Sequence, residues 1–150
     1  MEIRTAESVS EIEFLLRQFD SNFTIVLKKR ISDLSIYAEK LYSNSMNRIA
    51  IVDDNIAGFI CFYCNDVVTK SAFISQLCVG KKFRKTGIGS ALMTDCREIC
   101  VKLGMETLRL EVAKVNTVAR RFYERHGFYY EKIQNDSNLY MKKKLGLMLL

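Results

Sequence analysis

The chain has 150 residues, 49% of them hydrophobic and 27% charged, which is typical of one globular domain with its own core. No apolar run approaches the roughly 20 residues of a membrane-spanning helix, and the N-terminus lacks a secretory signal. The number of cysteines is odd, five, which argues against a disulfide framework. Together these features predict a cytoplasmic protein. The net charge of +6 favours a polyanionic partner such as nucleic acid, acidic membrane or a phosphorylated small molecule.

The first half of the chain predicts four short strands and two helices. Apolar residues recur at helical spacing in two segments, the second of them capped by Ser32. These residues are Val9, Ile12, Leu16 and Phe19, then Leu34, Tyr37, Ala38 and Leu41. Strands are predicted over residues 2–5, 48–52, 56–64 and 72–79, and the turn Asp53-Asp54-Asn55 joins the second strand to the third as a hairpin.

The second half alternates helix and strand. An amphipathic helix over residues 88–103 is predicted to end at Gly104, and a second helix to begin after Asn116 and end at Gly127. Strands are predicted between the helices, over 108–112, and after them, over 128–133 and 138–142. Antiparallel strands followed by a strand–helix–strand unit predict an α/β fold: a single domain, 1–150, with a mixed antiparallel and parallel sheet and helices on both faces.

A basic loop with two glycines leads into the helix that starts at residue 88. Gly87 and Gly89 leave the first amides of this helix open, and free amides with the helix dipole attract anions. Arg84 and Lys85 add positive charge, so the junction predicts a pyrophosphate site. The nucleoside-triphosphate loop requires a lysine after its last glycine, and the dinucleotide motif requires a third glycine where Leu92 stands, so neither motif fits.

A second motif lies on the helix that follows. Residues 116–128 read N-x-x-A-x-x-F-Y-x-x-x-G-F, and residues 84–89 read R-x-x-G-x-G. In this order and at this spacing the two motifs resemble the GCN5-related N-acetyltransferase (GNAT) family, most strongly over residues 74–128. The resemblance implies the acyl-CoA N-acyltransferase fold, acetyl-CoA as co-substrate, and transfer of the acetyl group to a primary amine by direct attack on the thioester.

The resemblance also implies roles for individual residues. In the family, one strand pairs with the pantetheine arm, the glycine loop cradles the pyrophosphate, and an asparagine helps to hold the arm. The matching residues are Leu77, Cys78 and Val79 for the strand; Arg84, Lys85, Thr86, Gly87, Ile88, Gly89 and Ser90 for the cradle; and Asn116 for the arm. Tyr123 matches the tyrosine that protonates the departing thiolate.

The base that deprotonates the amine is less well defined. Leu110-Glu111-Val112 followed by Asn116 is most similar to the ribosomal-protein alanine acetyltransferases, in which the matching glutamate is a proposed proton acceptor. Some relatives carry an acid where Gln76 stands, and glutamine cannot act as a base. Glu111 and a chain of water molecules therefore both remain candidates.

The acceptor amine has no motif of its own. The candidates are a protein N-terminus, a lysine, a polyamine, an amino sugar and an antibiotic. The pocket for this amine is expected from residues 20–45 and the end of the last hairpin. Tyr37, Tyr42 and Lys29 are the candidates there. The alternative function is a non-catalytic acyl-CoA sensor or a basic nucleic-acid-binding module.

Other features predict no additional function. Cys61-x-x-Cys64 lies on a predicted strand, where residues three apart point to opposite faces, so no metal site is expected. His126, the only histidine, is expected to serve a structural role at a helix end. The expected partners are a small-molecule or peptide amine and, for a homodimer, a second copy of the chain; no membrane partner is expected, and nucleic acid is disfavoured.

Overall fold

The computed structural model describes residues 1–19, 33–132, 135 and 137–146. Seven strands, four α-helices and one short 3-10 helix (Lys81–Phe83) occupy these residues. The strands are β1 (Glu2–Thr5), β2 (Met46–Val52), β3 (Asn55–Asp66), β4 (Ser71–Val79), β5 (Thr107–Ala113), β6 (Tyr129–Tyr130) and β7 (Asn138–Lys144). The helices are α1 (Val9–Gln18), α2 (Leu34–Asn44), α3 (Ile88–Lys102) and α4 (Thr117–Arg125).

All seven strands belong to one sheet, in the order β1-β2-β3-β4-β5-β7-β6. The β4–β5 pair is parallel and the other five pairs are antiparallel. The strands of the parallel pair are connected through α3, since a parallel neighbour can be reached only by a crossover. The predicted mixed sheet is therefore confirmed.

Helices cover both faces of the sheet, as predicted. On one face, α1 and α2 pack on Phe59 and Cys61 of β3. On the other face, α3 packs on Ile60 and Phe62 of the same strand. We call these the α1/α2 face and the α3 face. The alternation of β3 side chains between two apolar cores explains why this strand is hydrophobic at nearly every position.

Several predicted boundaries differ from those observed. Helix α2 is capped by Asp33, whose Oδ1 accepts hydrogen bonds from the N–H groups of Ser35 and Ile36 at 2.9 and 3.1 Å; the predicted cap, Ser32, lies outside the described residues. Among those residues, the strand predicted over 128–133 is limited to β6. Strand β7 runs two residues further than predicted, to Lys144.

The predicted helix ends at glycines are confirmed. Gly104 follows α3 with φ +83° and Gly127 follows α4 with φ +89°, a left-handed conformation that favours glycine. In the apolar C-terminal segment, Leu145 is buried against the α3-face core, and residues 147–150 lie outside the described part. Of the helices described, none is long and apolar enough to cross a bilayer; the cytoplasmic location stays a prediction.

Candidate functional site

The sheet opens between its two parallel strands. The β4–β5 ladder runs from the Ser71–Thr107 pair to the Ile74–Leu110 pair. Beyond it, within the described residues, β4 pairs only with β3, as far as Val79, and β5 pairs only with β7, as far as Ala113. Two strand edges therefore face a gap, which we call the β4–β5 gap. Its open backbone groups can hydrogen-bond a bound chain, and it lies at the carboxyl ends of parallel strands, where ligands bind in such sheets.

A β-bulge in β4 accompanies the opening. The β3–β4 register shifts so that Ser75 has no partner between the pairs of Ile74 and Gln76. Ile74 is buried on the α3 face, whereas Gln76 and Cys78 turn toward the α1/α2 face. An extra residue bends its strand and increases its twist. The bulge therefore marks the point at which β4 leaves β5.

The loop after β4 presents open amide groups. Lys85 and Gly87 are left-handed, with φ of +63° and +87°, and Gly87 caps α3 without a side-chain hydrogen bond. No described group accepts a hydrogen bond from the N–H of Ile88, Gly89 or Ser90. Free amides at a helix N-terminus fit an anion such as a pyrophosphate.

The predicted cradle residues lie together in this loop. Exposed side chains surround the amides, and Thr86 donates its hydroxyl to the carbonyl of Phe83. The structure also gives Gly89 a role that the sequence analysis missed. A Cβ there would lie 3.2 Å from Cε1 of Phe122 and 3.6 Å from Cγ2 of Val79. Gly89 therefore allows α4 to pack against the start of α3.

Asn116 and Tyr123 lie on helix α4, which packs against the start of α3 through Phe122. Asn116 caps the helix, with its Oδ1 accepting from the N–H of Ala119 at 3.1 Å. The Tyr123 ring packs edge-on against Phe122 and Phe128, with centroid distances of 5.5 and 5.6 Å. Two helical turns separate Asn116 from Tyr123, so both occupy one side of α4.

The Tyr123 phenol has the properties of a proton donor. Burial and the neighbouring Cys78 raise its pKa well above the usual value, so the phenol is protonated at every physiological pH. Its hydroxyl makes no hydrogen bond to any described protein group. Cys78 belongs to the α1/α2-face core while the Tyr123 ring packs against the other core.

Glu111 lies on the opposite edge of this gap. It is exposed on β5, one residue beyond the last β4–β5 pair. Leu110 and Val112 are buried on the α3 face, so Glu111 points to the α1/α2 face. The side-chain amide of Asn138 donates a hydrogen bond to its Oε1. The carboxylate is therefore held in place while it stays open to solvent.

Gln76 and Tyr37 form a buried polar contact on the same face. Gln76 is 7% exposed, and its Nε2 donates to the Tyr37 hydroxyl at 2.9 Å. This contact ties α2 to β4 immediately after the bulge. Of the three acceptor-pocket candidates, Tyr37 lies close to the gap, Tyr42 is exposed on α2, and Lys29 falls outside the described residues.

A cavity of about 670 Å³ lies on the α1/α2 face, toward the end of the β4–β5 ladder that is farther from the gap. It starts two residues from Glu111, at Arg109, whose guanidinium donates to both carboxylate oxygens of Glu131 at 2.7 and 3.0 Å. Its lining comes from β3, β4, β5 and the ends of the last hairpin: Tyr63, Asn65, Asp66, Thr69, Ser71, Phe73, Thr107, Arg109, Glu131 and Lys142. Of the region predicted for the acceptor, residues 20–45 and the end of the last hairpin, the hairpin borders this cavity through Glu131 and Lys142.

The cysteines lie outside this site, apart from Cys78. Cys61 and Cys64 point to opposite faces of the sheet, as predicted. Cys64 instead contacts Cys100 of α3, with a sulfur–sulfur distance of 3.5 Å. Within the described ranges, no three His, Cys, Asp or Glu side chains are grouped to hold a metal ion.

The comparisons with known proteins agree with the fold. The model of the acetyltransferase (GNAT) family matches residues 12–128. Among solved structures, Ard1 from Thermoplasma volcanium is 26% identical with a TM-score of 0.78, covering 97% of each chain. The ribosomal-protein-S18-alanine N-acetyltransferase from Escherichia coli is 18% identical with a TM-score of 0.79, covering 97% of this chain and 94% of that one. PaiA N-acetyltransferase from Thermoplasma acidophilum, in complex with coenzyme A, is 22% identical with a TM-score of 0.72, covering 96% and 99%.

Proposed function

The chain belongs to the acetyltransferase (GNAT) family and is an acetyl-CoA-dependent N-acetyltransferase, and from this premise we propose that acetyl transfer takes place in the β4–β5 gap. One observation carries the proposal. The ladder between the two strands ends at Ile74 and Leu110, and we place the half-buried phenol of Tyr123 and the exposed carboxylate of Glu111 on either side of the opening. The gap thus offers a proton donor and a proton acceptor at one place.

The proposed binding mode for acetyl-CoA uses the open edge of β4 and the start of α3. The backbone of Leu77, Cys78 and Val79 pairs with the pantetheine arm, and Asn116 helps to hold it. The pyrophosphate lies on the free amides of the first turn of α3. The residues proposed around it are Arg84, Lys85, Thr86, Gly87, Ile88, Gly89 and Ser90. A helix N-terminus with added positive charge favours an anion at this position.

Tyr123 is proposed as the general acid. Its phenol is protonated because burial raises its pKa, and its hydroxyl is not engaged by another described group. It can therefore donate a proton or a hydrogen bond to the departing thiolate. Most of the rate enhancement still comes from holding the amine and the thioester together.

Glu111 is proposed as the general base, acting directly or through water. An amine attacks only when it is neutral, and at pH 7 deprotonation costs about 1 kcal/mol for an α-amine and roughly 4.6 kcal/mol for lysine. The acceptor that loses its proton more easily asks less of the base. We therefore propose that the acceptor is the α-amine of a peptide, whose first residues lie over the cavity beside Arg109.

Matched peptides test the acceptor. One peptide carries a free α-amine and no lysine, and the second has the same residues with a blocked α-amine and a single lysine. Release of free thiol from acetyl-CoA is measured for both, with a polyamine and an aminoglycoside as further acceptors. We expect the α-amine peptide to have the highest kcat/KM. A higher value for the lysine peptide or a small amine would contradict the proposed acceptor but not the site.

We also propose that residues 1–150 form one domain. The family match covers residues 12–128, and β1 and β7 lie wholly outside this range yet pair within the same sheet, with β2 and β5 respectively. Buried residues of β7 join the α3-face core. Limited proteolysis that released a stable fragment without β1 or β7 would contradict this proposal.

A further inference from the structure

A contact at the proposed pyrophosphate site is not used by the transfer reaction itself. The Ser90 hydroxyl and Nε2 of His126 are 3.0 Å apart. Ser90 lies in the first turn of α3, and His126 is the C-cap of α4. The Phe122 ring stacks on the imidazole, with ring centroids 4.5 Å apart and a tilt of 40°. The same Phe122 ring packs against Gly89, so His126 is held beside the open amides.

We propose that His126 positions the Ser90 hydroxyl for a phosphate oxygen of coenzyme A and that this makes coenzyme A binding dependent on protonation of His126. The inference rests on the pyrophosphate position proposed above. His126 is a positioning residue in this arrangement, because it acts through Ser90.

Hydrogen-bond chemistry gives the two states of the imidazole different effects. A protonated ring carries a hydrogen on Nε2 and must donate to the Ser90 oxygen, which leaves the Ser90 O–H free to donate to phosphate. A neutral ring with its hydrogen on Nδ1 accepts the Ser90 O–H at Nε2 instead and turns it away from the ligand. The protonated ring also adds positive charge next to an anion.

The surroundings of His126 give the direction of the pH dependence. Burial lowers its pKa, as do the positive charges of Lys143 on β7 and Arg125 on α4. The pKa of Lys143 is itself lowered, by burial and by the positive charge of Arg97 on α3. A bound anion offsets these charges and raises the pKa of His126 in the complex. By linkage, affinity rises as the pH falls through the pKa of the complex, and it levels off below the lower pKa of the free protein.

The test measures the dissociation constant of dephospho-coenzyme A by calorimetry between pH 5.5 and 7.5. This probe keeps the pyrophosphate and lacks the 3′-phosphate, whose own second pKa of about 6 would add a pH dependence. The chain has one histidine, and histidine is the side chain whose ordinary pKa lies in this range. We expect the wild type to bind about three- to tenfold more tightly at pH 5.5 than at pH 7.5.

Two variants and a second ligand isolate the effect. His126→Gln keeps an N–H donor for Ser90 and cannot titrate, so it should bind with nearly the same affinity at both pH values. Ser90→Ala should lose affinity and also flatten the profile. Pantetheine, which has no phosphate, should show no pH dependence with any of the three proteins.

The outcomes separate this inference from the proposed binding mode. If Ser90→Ala weakens binding but His126→Gln keeps the wild-type pH profile, the pyrophosphate site stands and the role of His126 is wrong. If Ser90→Ala and Gly89→Glu both bind with unchanged affinity, the pyrophosphate site is wrong and the inference fails with it. Thermal unfolding of each variant shows whether a lost affinity reflects a lost fold.

Discussion

At the scale of single residues, the site pairs two groups with different environments. Tyr123 is packed between aromatic rings, and its pKa is raised. Glu111 is exposed on a strand edge and fixed by one amide hydrogen bond. Desolvation of the half-buried phenol raises the pKa of Tyr123, so it keeps its proton, whereas the Glu111 side chain is open to solvent. The two environments therefore match the roles of acid and base before any substrate binds.

Tyr123→Phe should lower turnover by about 10²–10⁴, since general-acid help typically has that size. Cofactor affinity and fold should change little, because the ring contacts remain. Tyr130→Phe is the matched control: its hydroxyl bonds Arg120 and Glu124, away from the gap. Steady-state acetylation and calorimetric binding of coenzyme A measure both effects. Near-normal turnover in Tyr123→Phe would mean that the ring only packs and that solvent supplies the proton.

Glu111→Gln should lower the acetylation rate by about 10²-fold at pH 6.5 and by less than about tenfold at pH 9. The reason is that the base matters only while the amine still carries a proton. Glu98→Gln, which removes an exposed carboxylate from α3, is the control. The measurement is the pH profile of kcat/KM with an α-amine peptide. A reduction of equal size at every pH would favour water as the base.

At the scale of elements, two packing features shape the site. The bulge at Ser75 turns the end of β4 away from β5, and Gly89 lets α4 approach the start of α3. The first opens the gap, and the second carries Asn116 and Tyr123 to it. The gap is therefore a product of how elements meet, and its chemistry depends on the position of α4.

Gly89→Ala tests the contact between the helices. Its Cβ would lie 3.2 Å from the Phe122 ring, so the ring must give way by a few tenths of an ångström, and we expect this to displace α4 and Tyr123. We expect kcat/KM to fall roughly tenfold, since small misplacements of reacting groups are costly. Stability should change little, because alanine in a helix gains about 0.5–1 kcal/mol over glycine and offsets the crowding.

Gly104→Ala is the control for this helix. Gly104 has φ +83° and open space around it, so alanine there should lower the melting temperature by strain while kcat/KM stays normal. Kinetics and thermal unfolding of both variants provide the comparison. An unchanged kcat/KM in Gly89→Ala would show that α4 can move without consequence for transfer.

At the scale of the whole molecule, ion pairs join different elements of the fold. Arg4–Glu11 links β1 to α1, Arg48–Asp95 links β2 to α3, and Arg109–Glu131 links β5 to the residue after β6. Hydrogen bonds from the arginine partners lower the pKa of Glu11 and of Glu131. A carboxyl group whose pKa is lowered on folding stabilises the folded state at pH values above its ordinary pKa. Acid removes this contribution and should therefore weaken the fold.

Glu131→Gln should destabilise the protein by roughly 1 kcal/mol at pH 7, a modest figure because Arg109 is 40% exposed. The full destabilisation is expected above about pH 4.3, the ordinary pKa of glutamate. It shrinks as the pH falls through the lowered pKa of Glu131. Urea unfolding at pH 7, 5 and 3.5 measures it. Glu39→Gln, an exposed carboxylate without an ion pair among the described residues, should stay within about 0.5 kcal/mol at each pH. If the free energy of unfolding of Glu131→Gln differs from that of the wild type by the same amount at every pH, the linkage is contradicted.

Sequence alone was sufficient where the signal is local. The helix from Asn116 to Gly127, the glycine loop and the alternating strands were predictable because caps, turns and periodicity depend on residues a few positions apart. The two motifs were enough for the family and its co-substrate, since each motif lies within about a dozen neighbouring residues. The boundary at Ser32 was wrong by one residue because Asp33 caps equally well and sits next to it.

The tertiary structure decided what depends on register and packing between distant segments. The end of the β4–β5 ladder, the bulge at Ser75 and the contact of Gln76 with Tyr37 arise from strands and helices that meet only in the folded chain. Ser90 and His126 are separated by 36 positions, and no local pattern predicts that they touch. Periodicity tells which side of an element is buried, but only the fold determines which element lies opposite.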